Sequence, residues 1–134
     1  MLTHFPRRYL RLHEYEGFAM YQDYRVPIPL GDIAYSGKEA LYHARTIARE
    51  TDYKSKFIVK AQVQSSNRSK GVFKENGFKG GIHMCGSPEE VKDVADRMCG
   101  KTFISPAENK YTYYSTGPQG FLNRCVLVQE HLEF

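Results

Sequence analysis

Residues 57–63, FIVKAQV, predict a β-strand that is buried on both faces, because apolar and β-branched side chains occupy both sides of the segment. A strand of this kind needs a packed layer on each side of its sheet. Lys60 interrupts the apolar pattern, and a buried ammonium either loses its charge or requires a counter-anion. Two interpretations remain open: the anion is a phosphate, or the lysine stem follows the sheet edge and the charge reaches water.

Three other segments predict helices. Residues 12–24 carry apolar side chains at intervals of three, four and six residues, which favours an amphipathic helix. Ser36 followed by Glu39 forms a capping-box pattern ahead of a second helix. Ser87 before Pro88 combines an N-cap residue with a proline at the first position of a third helix. The second and third helices each have a one-sided apolar stripe, so we expect both to pack on a sheet.

Further extended segments lie at 25–34, 81–85 and 125–131. The prolines of VPIP at 26–29 restrict the backbone before them, so the first segment is predicted to be an edge strand or a strap. In chain order the elements from this segment onward read strand, helix, strand, loop, strand, helix, strand. This alternation predicts an α/β or α+β fold with helices packed against one sheet.

The composition is typical of one folded domain. With 134 residues, 41% of them hydrophobic and 25% charged, the chain can form a single core and is too apolar to be disordered as a whole. The net charge of +4 favours an anionic ligand but is far from that of a dedicated nucleic-acid coat protein. Residues 1–11 hold three arginines and no acid, which is compatible with a short targeting segment or an untargeted basic N-terminus. No apolar run approaches the roughly 18 residues of a membrane-spanning helix, so no membrane partner is expected.

The cysteines and histidines point to no metal site. Cys85, Cys99 and Cys125 are an odd number with long gaps and no CxxC pair, so neither a disulfide framework nor a zinc site is predicted. The histidines are scattered and form no HxH or HxxxH pair. We assign no catalytic residue, because a nucleophile and its base are recognised by their geometry.

The segment 64–83 is basic and contains four glycines, with four cations against a single acid. Because it directly follows the strand that contains Lys60, we expect a loop or hairpin whose backbone N–H groups and cations bind an anion. The segment matches neither the Walker A pattern nor the glycine pattern of dinucleotide-binding folds. An ordinary P-loop or Rossmann site is therefore not indicated.

A rival interpretation is that the chain binds single-stranded RNA. It would use the cations of 64–83 together with nearby aromatic side chains, namely Phe73, Phe78 and the tyrosines in 111–114. The simpler role of these tyrosines is to cover the edge of a sheet.

Several separated motifs, in matching order and spacing, closely resemble the N-terminal part of the β subunit of succinyl-CoA ligase. They are LHEYEGFAMYQDYRVPIP at 12–29, IVKAQV at 58–63, NRSKGVFKENGFKGGIH at 67–83, SPEEVKDVADRMCGK at 87–101 and NRCVLVQE at 123–130. The resemblance implies that residues 12–134 form the N-terminal lobe of an ATP-grasp domain, in which a mixed sheet is flanked by helices. It also implies that the second ATP-grasp lobe and the CoA-ligase domain are absent from this chain.

The resemblance also implies which positions contact a nucleotide. Lys60 stands where the family's strand lysine contacts nucleotide phosphates, and the family's GGRGKG loop corresponds to residues 66–71. Arg68 is retained in this loop, whereas three glycines are replaced by Ser or Asn, which would lower nucleotide affinity. The main chain at 129–132 corresponds to the hinge that faces the base. The implied ATP-binding residues are Lys60, Asn67, Arg68, Ser69, Gln129 and Leu132.

For function, the resemblance implies the nucleotide-binding part of an ADP/ATP-forming ligase that interconverts succinyl-CoA, ADP and phosphate with succinate, CoA and ATP in the tricarboxylic acid cycle. The expected cofactors are ATP or ADP with Mg²⁺, whose ligands are expected outside this chain. The expected partner is the α subunit, which carries the phosphorylated histidine, so the isolated chain is expected to be inactive. The family indicates the mitochondrial matrix, or otherwise the cytoplasm, and no nucleic-acid partner. The alternative function is a non-catalytic RNA-binding or scaffold module.

Overall fold

Three helices and seven strands make up the part of the chain that the computed structural model describes, residues 12–65, 68–105 and 116–132. In chain order they are α1 (Glu14–Asp23), β1 (Gly31–Ala34), α2 (Gly37–Glu50), β2 (Lys56–Ala61), β3 (Val72–Phe73), β4 (Ile82–Cys85), α3 (Pro88–Met98), β5 (Lys101–Ile104), β6 (Phe121–Asn123) and β7 (Val126–His131). A 3₁₀ turn at Arg68–Lys70 lies between β2 and β3. None of these helices combines the length and the apolar character needed to cross a membrane.

The main sheet has the strand order β1-β7-β2-β4, and each neighbouring pair in it is antiparallel. The strands β1 and β2, which α2 connects, therefore run in the same direction but are separated by β7. The α+β class is confirmed. The pairing differs from a mixed sheet, because the last strand is inserted between two strands that would otherwise form a parallel pair.

Helices α2 and α3 begin where the sequence predicts. The hydroxyl oxygen of Ser36 accepts a hydrogen bond from the Glu39 N–H at 3.2 Å, and that of Ser87 accepts one from the Glu90 N–H at 3.2 Å. The apolar stripes of both helices pack on one face of the main sheet and form the core. Its buried members include Ala40, Ala44, Ile47, Val91, Ala95 and Met98 from the helices and Phe57, Val59, Ala61, Val126 and Val128 from the sheet.

A second sheet, which no pattern in the sequence predicts, has the strand order β3-β5-β6. Its strands are two to four residues long, too short to show an alternating pattern. The hairpin expected within 64–83 is present: the Phe73 N–H donates to the Phe78 carbonyl at 2.8 Å, and Gly77 turns the chain with a φ of 69°. The fully buried rings of Phe73 and Phe103 join this sheet to the core.

The other face of the main sheet is covered less completely, so the expectation that 57–63 is buried on both faces holds only in part. Ile58 and Lys60 of β2 are half-buried, because the helices of the core pack on the opposite face. Helix α1 lies over β1 and β7 on this face, across a cleft of about 230 Å³. The helix itself is confirmed, but no residue in it is buried. Instead of an apolar stripe, polar contacts at its N-terminus attach α1 to β2.

Candidate functional site

Lys60 lies on the partly covered face of the main sheet, opposite Leu127 of β7. Its side chain is 22% exposed, and its Nζ donates a hydrogen bond to Oε1 of Glu14 at 2.8 Å. The ammonium therefore does not extend into open water, and the interpretation in which the charge of Lys60 reaches water is wrong for this structure. The counter-anion that burial of Lys60 requires is provided by a carboxylate of the chain itself.

Arg68, in the 3₁₀ turn, extends back toward the end of β2. Its Nη1 donates to the carbonyl oxygen of Ala61 at 2.7 Å, and its Nη2 donates to Oε2 of Glu14 at 2.9 Å. The side chain is 22% exposed. The structure thus brings together two of the predicted site residues, Lys60 and Arg68, at the two oxygens of a single carboxylate.

Glu14 is the residue of this site that sequence reasoning missed. It is the first residue of α1, where an acid is explained by the partial positive charge of a helix N-terminus. Its position therefore carries no signal of a second role, and 46 residues separate it from Lys60. The one available signal was indirect, since a lysine in an apolar strand demands an anion.

The charge state of Glu14 follows from its surroundings. Partial burial acts to raise the pKa of this carboxyl. The hydrogen bond and the charge of Lys60, together with those of Arg68, outweigh the burial, so the pKa lies below its ordinary value. Glu14 is therefore ionised at neutral pH, and the three side chains together carry a net positive charge.

A buried glutamine attaches the start of α1 to the end of β2. The Tyr15 N–H donates to Oε1 of Gln62 at 3.1 Å, and Gln62 is 4% exposed. The Gln62 side chain in turn donates to the carbonyl oxygens of Lys60 and Ala61 at 3.2 Å, and its backbone N–H donates to Oδ1 of Asn123 at 2.9 Å. These bonds hold the N-terminus of α1 next to Lys60.

The remaining predicted site residues differ in how they are placed relative to Lys60 and Arg68. Gln129 is 7% exposed and pairs with Ile58, so its side chain is on the same face of the sheet as that of Lys60. Leu132 follows the end of β7 and is 42% exposed. Ser69 is adjacent to Arg68 and exposed, whereas Asn67 lies outside the described residues. The structure gives the positions of Gln129, Leu132 and Ser69, and their roles in nucleotide binding stay predictions.

The backbone at Ser69 does not require a glycine. Among the described residues other than glycine, only Arg25, Asp52 and Tyr53 have positive φ. Ser69 is in the 3₁₀ turn, a conformation open to any L-residue. The replacement of glycine at this position therefore strains no backbone in this conformation.

Two cations that converge on one point can bind an anion. Among the contacts between described residues, Glu14 takes one of the three Lys60 N–H groups, and Glu14 and Ala61 take two of the five Arg68 N–H groups. The described ranges contain no group of three His, Cys, Asp or Glu side chains that could hold a metal ion. The ammonium of Lys60 and the guanidinium of Arg68 offer no lone pair to a metal ion, so these two side chains suit an anion and not Mg²⁺.

The RNA-binding alternative loses one of its candidate contacts. Phe73 is fully buried, and Phe78 stacks on the ring of His83 with 4.5 Å between centroids. A base cannot stack on a ring that has no exposed face. The tyrosines in 111–114, which the alternative also needs, lie outside the described residues.

Comparison with known proteins identifies relatives for nearly the whole chain. It is 35% identical over 94% of its length to the mitochondrial ADP-forming succinate–CoA ligase subunit beta of Dictyostelium discoideum. It is 36% identical over 92% of its length to the corresponding mitochondrial subunit of Neurospora crassa. It is 33% identical over 92% of its length to the ADP-forming succinate–CoA ligase subunit beta of the bacterium Salinibacter ruber. It spans 25%, 25% and 27% of these three relatives, respectively.

These findings confirm the resemblance drawn from the motifs at 12–29, 58–63, 67–83, 87–101 and 123–130, and they do not favour the RNA-binding alternative. The relatives include mitochondrial subunits and bacterial ones. A family model described as an ATP-grasp domain matches residues 11–133. The chain belongs to the ATP-grasp domain family.

Proposed function

We propose that this chain is the nucleotide-binding part of a β subunit of succinate–CoA ligase. The observation that carries the proposal is the convergence of Lys60 and Arg68 on the two oxygens of one carboxylate, at 2.8 and 2.9 Å. Two cations held this close together suit the dense negative charge of a diphosphate or triphosphate. The similarity to ADP-forming subunits supports ADP and ATP as the nucleotides.

In this proposal each predicted residue has an electrostatic role. Lys60 and Arg68 offset the charge of the phosphates, and the backbone N–H groups of Asn67 and Ser69 bind phosphate oxygens. The main chain from Gln129 to Leu132 faces the base. These groups act by preorganised charge and hydrogen bonding, and none of them transfers a proton.

At the level of the whole enzyme, we propose that the chain works with an α subunit. Together they would interconvert succinyl-CoA, ADP and phosphate with succinate, CoA and ATP. The phosphorylated histidine belongs to the α subunit in this family, so we assign that role to none of the histidines of this chain. The Mg²⁺ ligands would lie outside the chain, and the mitochondrial matrix is the proposed compartment.

Protection from proteolysis tests the nucleotide proposal. We expect Mg·ATP to slow cleavage within 64–83, because phosphates bound to Lys60 and Arg68 would immobilise the turn between them. Adenosine, which lacks phosphates, is the matched control and should give little protection. Equal cleavage with and without Mg·ATP, combined with salt-dependent binding of an RNA oligonucleotide, would contradict the proposal and favour the alternative.

A further inference from the structure

Two cationic side chains held side by side repel each other unless an anion lies between them. Lys60 and Arg68 come from different segments, the strand β2 and the turn that follows it, and their side chains are only 22% exposed. Water therefore screens their repulsion incompletely. The group between them is Glu14, with one carboxylate oxygen on each cation.

We propose that Glu14 is a positioning residue of the nucleotide site: its carboxylate holds the Lys60 ammonium and the Arg68 guanidinium side by side, so that their remaining N–H groups can bind a phosphate together. The inference rests on the proposed nucleotide-binding function and adds to it a residue from α1. In this arrangement the phosphate binds beside the carboxylate and does not replace it.

The donors left over make this arrangement possible. Within the described contacts, Lys60 keeps two N–H groups and Arg68 keeps three after their bonds to Glu14 and Ala61. The bond from Arg68 to the Ala61 carbonyl oxygen holds the guanidinium at the end of β2. Both cations are thus oriented before any ligand binds, which lowers the entropy lost on binding.

Glu14 is itself fixed in place, as a positioning group must be. It begins α1, and the next backbone N–H, that of Tyr15, donates to the buried Gln62 at 3.1 Å. On its other side the His13 N–H donates to the Glu16 side chain at 3.0 Å. The depressed pKa of Glu14 keeps the carboxylate charged at neutral pH. Its position therefore does not depend on the ligand.

A competing role for Glu14 predicts the opposite result. If the carboxylate occupied the phosphate position as an internal mimic, removing its charge would tighten nucleotide binding. The general electrostatic effect of removing one negative charge near the site has the same direction. Weaker binding after neutralisation of Glu14 would therefore be a specific sign of positioning.

The experiment compares Glu14→Gln with Glu16→Gln in the full 134-residue chain. Both substitutions remove one negative charge from the first turn of α1, and Gln at position 16 can still accept the hydrogen bond from the His13 N–H. With Mg·ADP as the probe, calorimetric titration should give a Kd about tenfold higher for Glu14→Gln and within about twofold of the parent for Glu16→Gln. Glu14→Asp, which restores the charge on a shorter side chain, should recover part of the affinity.

Amide hydrogen exchange gives a readout that needs no nucleotide. The Gly81 N–H donates to the Arg68 carbonyl oxygen at 2.7 Å, so its exchange rate reports whether the turn is anchored. We expect Glu14→Gln to speed this exchange about tenfold while core amides of α2 and α3 exchange as in the parent. Unchanged exchange at Gly81, or tighter ADP binding by Glu14→Gln, would overturn the inference. If the parent chain binds no ADP, the proposed function fails, and exchange at Gly81 still decides whether Glu14 positions Arg68.

Discussion

Gly71 packs directly against the ring of Phe103, at the point where the turn after β2 enters the second sheet. A β-carbon on Gly71 would overlap this ring and would lie 2.7 Å from the carbonyl oxygen of Ile104. Phe103 is fully buried and packs on Phe73 with 5.1 Å between ring centroids. The glycine is therefore required by space, and the contact sets how closely the Arg68 turn can approach the core.

Replacing Gly71 by alanine should destabilise the chain. Because a buried ring and a backbone oxygen would both have to move, we expect a loss of about 1–3 kcal/mol in the free energy of unfolding, measured by urea denaturation. Gly17→Ala is the matched control, since a β-carbon there meets nothing within 4 Å. In the interior of α1 it should stabilise the chain by about 0.5–1 kcal/mol. Equal stability of Gly71→Ala and the parent would show that the turn is not packed as described.

Acid should remove the stability that Glu14 contributes. Its pKa is lower in the folded chain than its ordinary value of 4.5, so the contribution is fully present well above that value and is lost as the pH falls through the folded pKa. Urea denaturation of the parent and of Glu14→Gln at about pH 7 and about pH 3 measures this. We expect the parent to have a larger free energy of unfolding than Glu14→Gln at the higher pH, and we expect this difference between the two chains to be smaller at the lower pH. A difference that does not change with pH would mean that the carboxylate is not paired.

The three cysteines should react slowly with thiol reagents in the folded chain. Cys85 and Cys125 are buried and Cys99 is partly buried. Burial raises the pKa of the Cys85 and Cys99 thiols to about 12 and also raises that of Cys125. Because the thiolate is the reactive form, we expect Cys85 and Cys99 to be labelled roughly 1000-fold more slowly than a free cysteine at about pH 8, and Cys125 to be labelled more slowly than a free cysteine as well.

Unfolding the chain in guanidinium chloride provides the control for this labelling, since all three thiols should then react at ordinary rates. Rapid labelling of Cys85 or Cys125 in the native chain would contradict their burial in the core.

Local signals in the sequence predict the elements that local chemistry determines. Ser36 and Ser87 are the N-cap residues of α2 and α3, and both helix starts are predictable because an N-cap hydroxyl and the acid or proline after it lie within four residues. The strand around Lys60 is equally visible from its β-branched side chains. By contrast, the position of β7 between β1 and β2 depends on pairing with Val59 and Ile33, which are distant in sequence. No local pattern encodes such a pairing, so a mixed sheet and an antiparallel one look alike in the sequence.

The site shows the same division between local and distant information. The burial of Lys60 predicts an anion, and the basic segment after it predicts that Arg68 lies near. The sequence does not identify the anion in this structure as Glu14, because the acid belongs to a separate helix and has a sufficient local explanation in the helix dipole. The second sheet is not predictable for a related reason. Strand β5 has only four residues, and Phe103 is the one buried residue among them, so the strand is too short to show alternating buried and exposed positions.

Calorimetric titration of Mg·ATP into Lys60→Ala and Lys38→Ala tests the nucleotide site most directly. Lys60 lies on the partly covered face of the main sheet, whereas Lys38 is exposed on α2, which packs on the opposite face. Lys60→Ala should weaken binding by about 1.5–3 kcal/mol, through loss of a charged hydrogen bond to phosphate, while Lys38→Ala should change it by less than about 0.5 kcal/mol. A dissociation constant for Lys60→Ala equal to that of the parent would contradict the account.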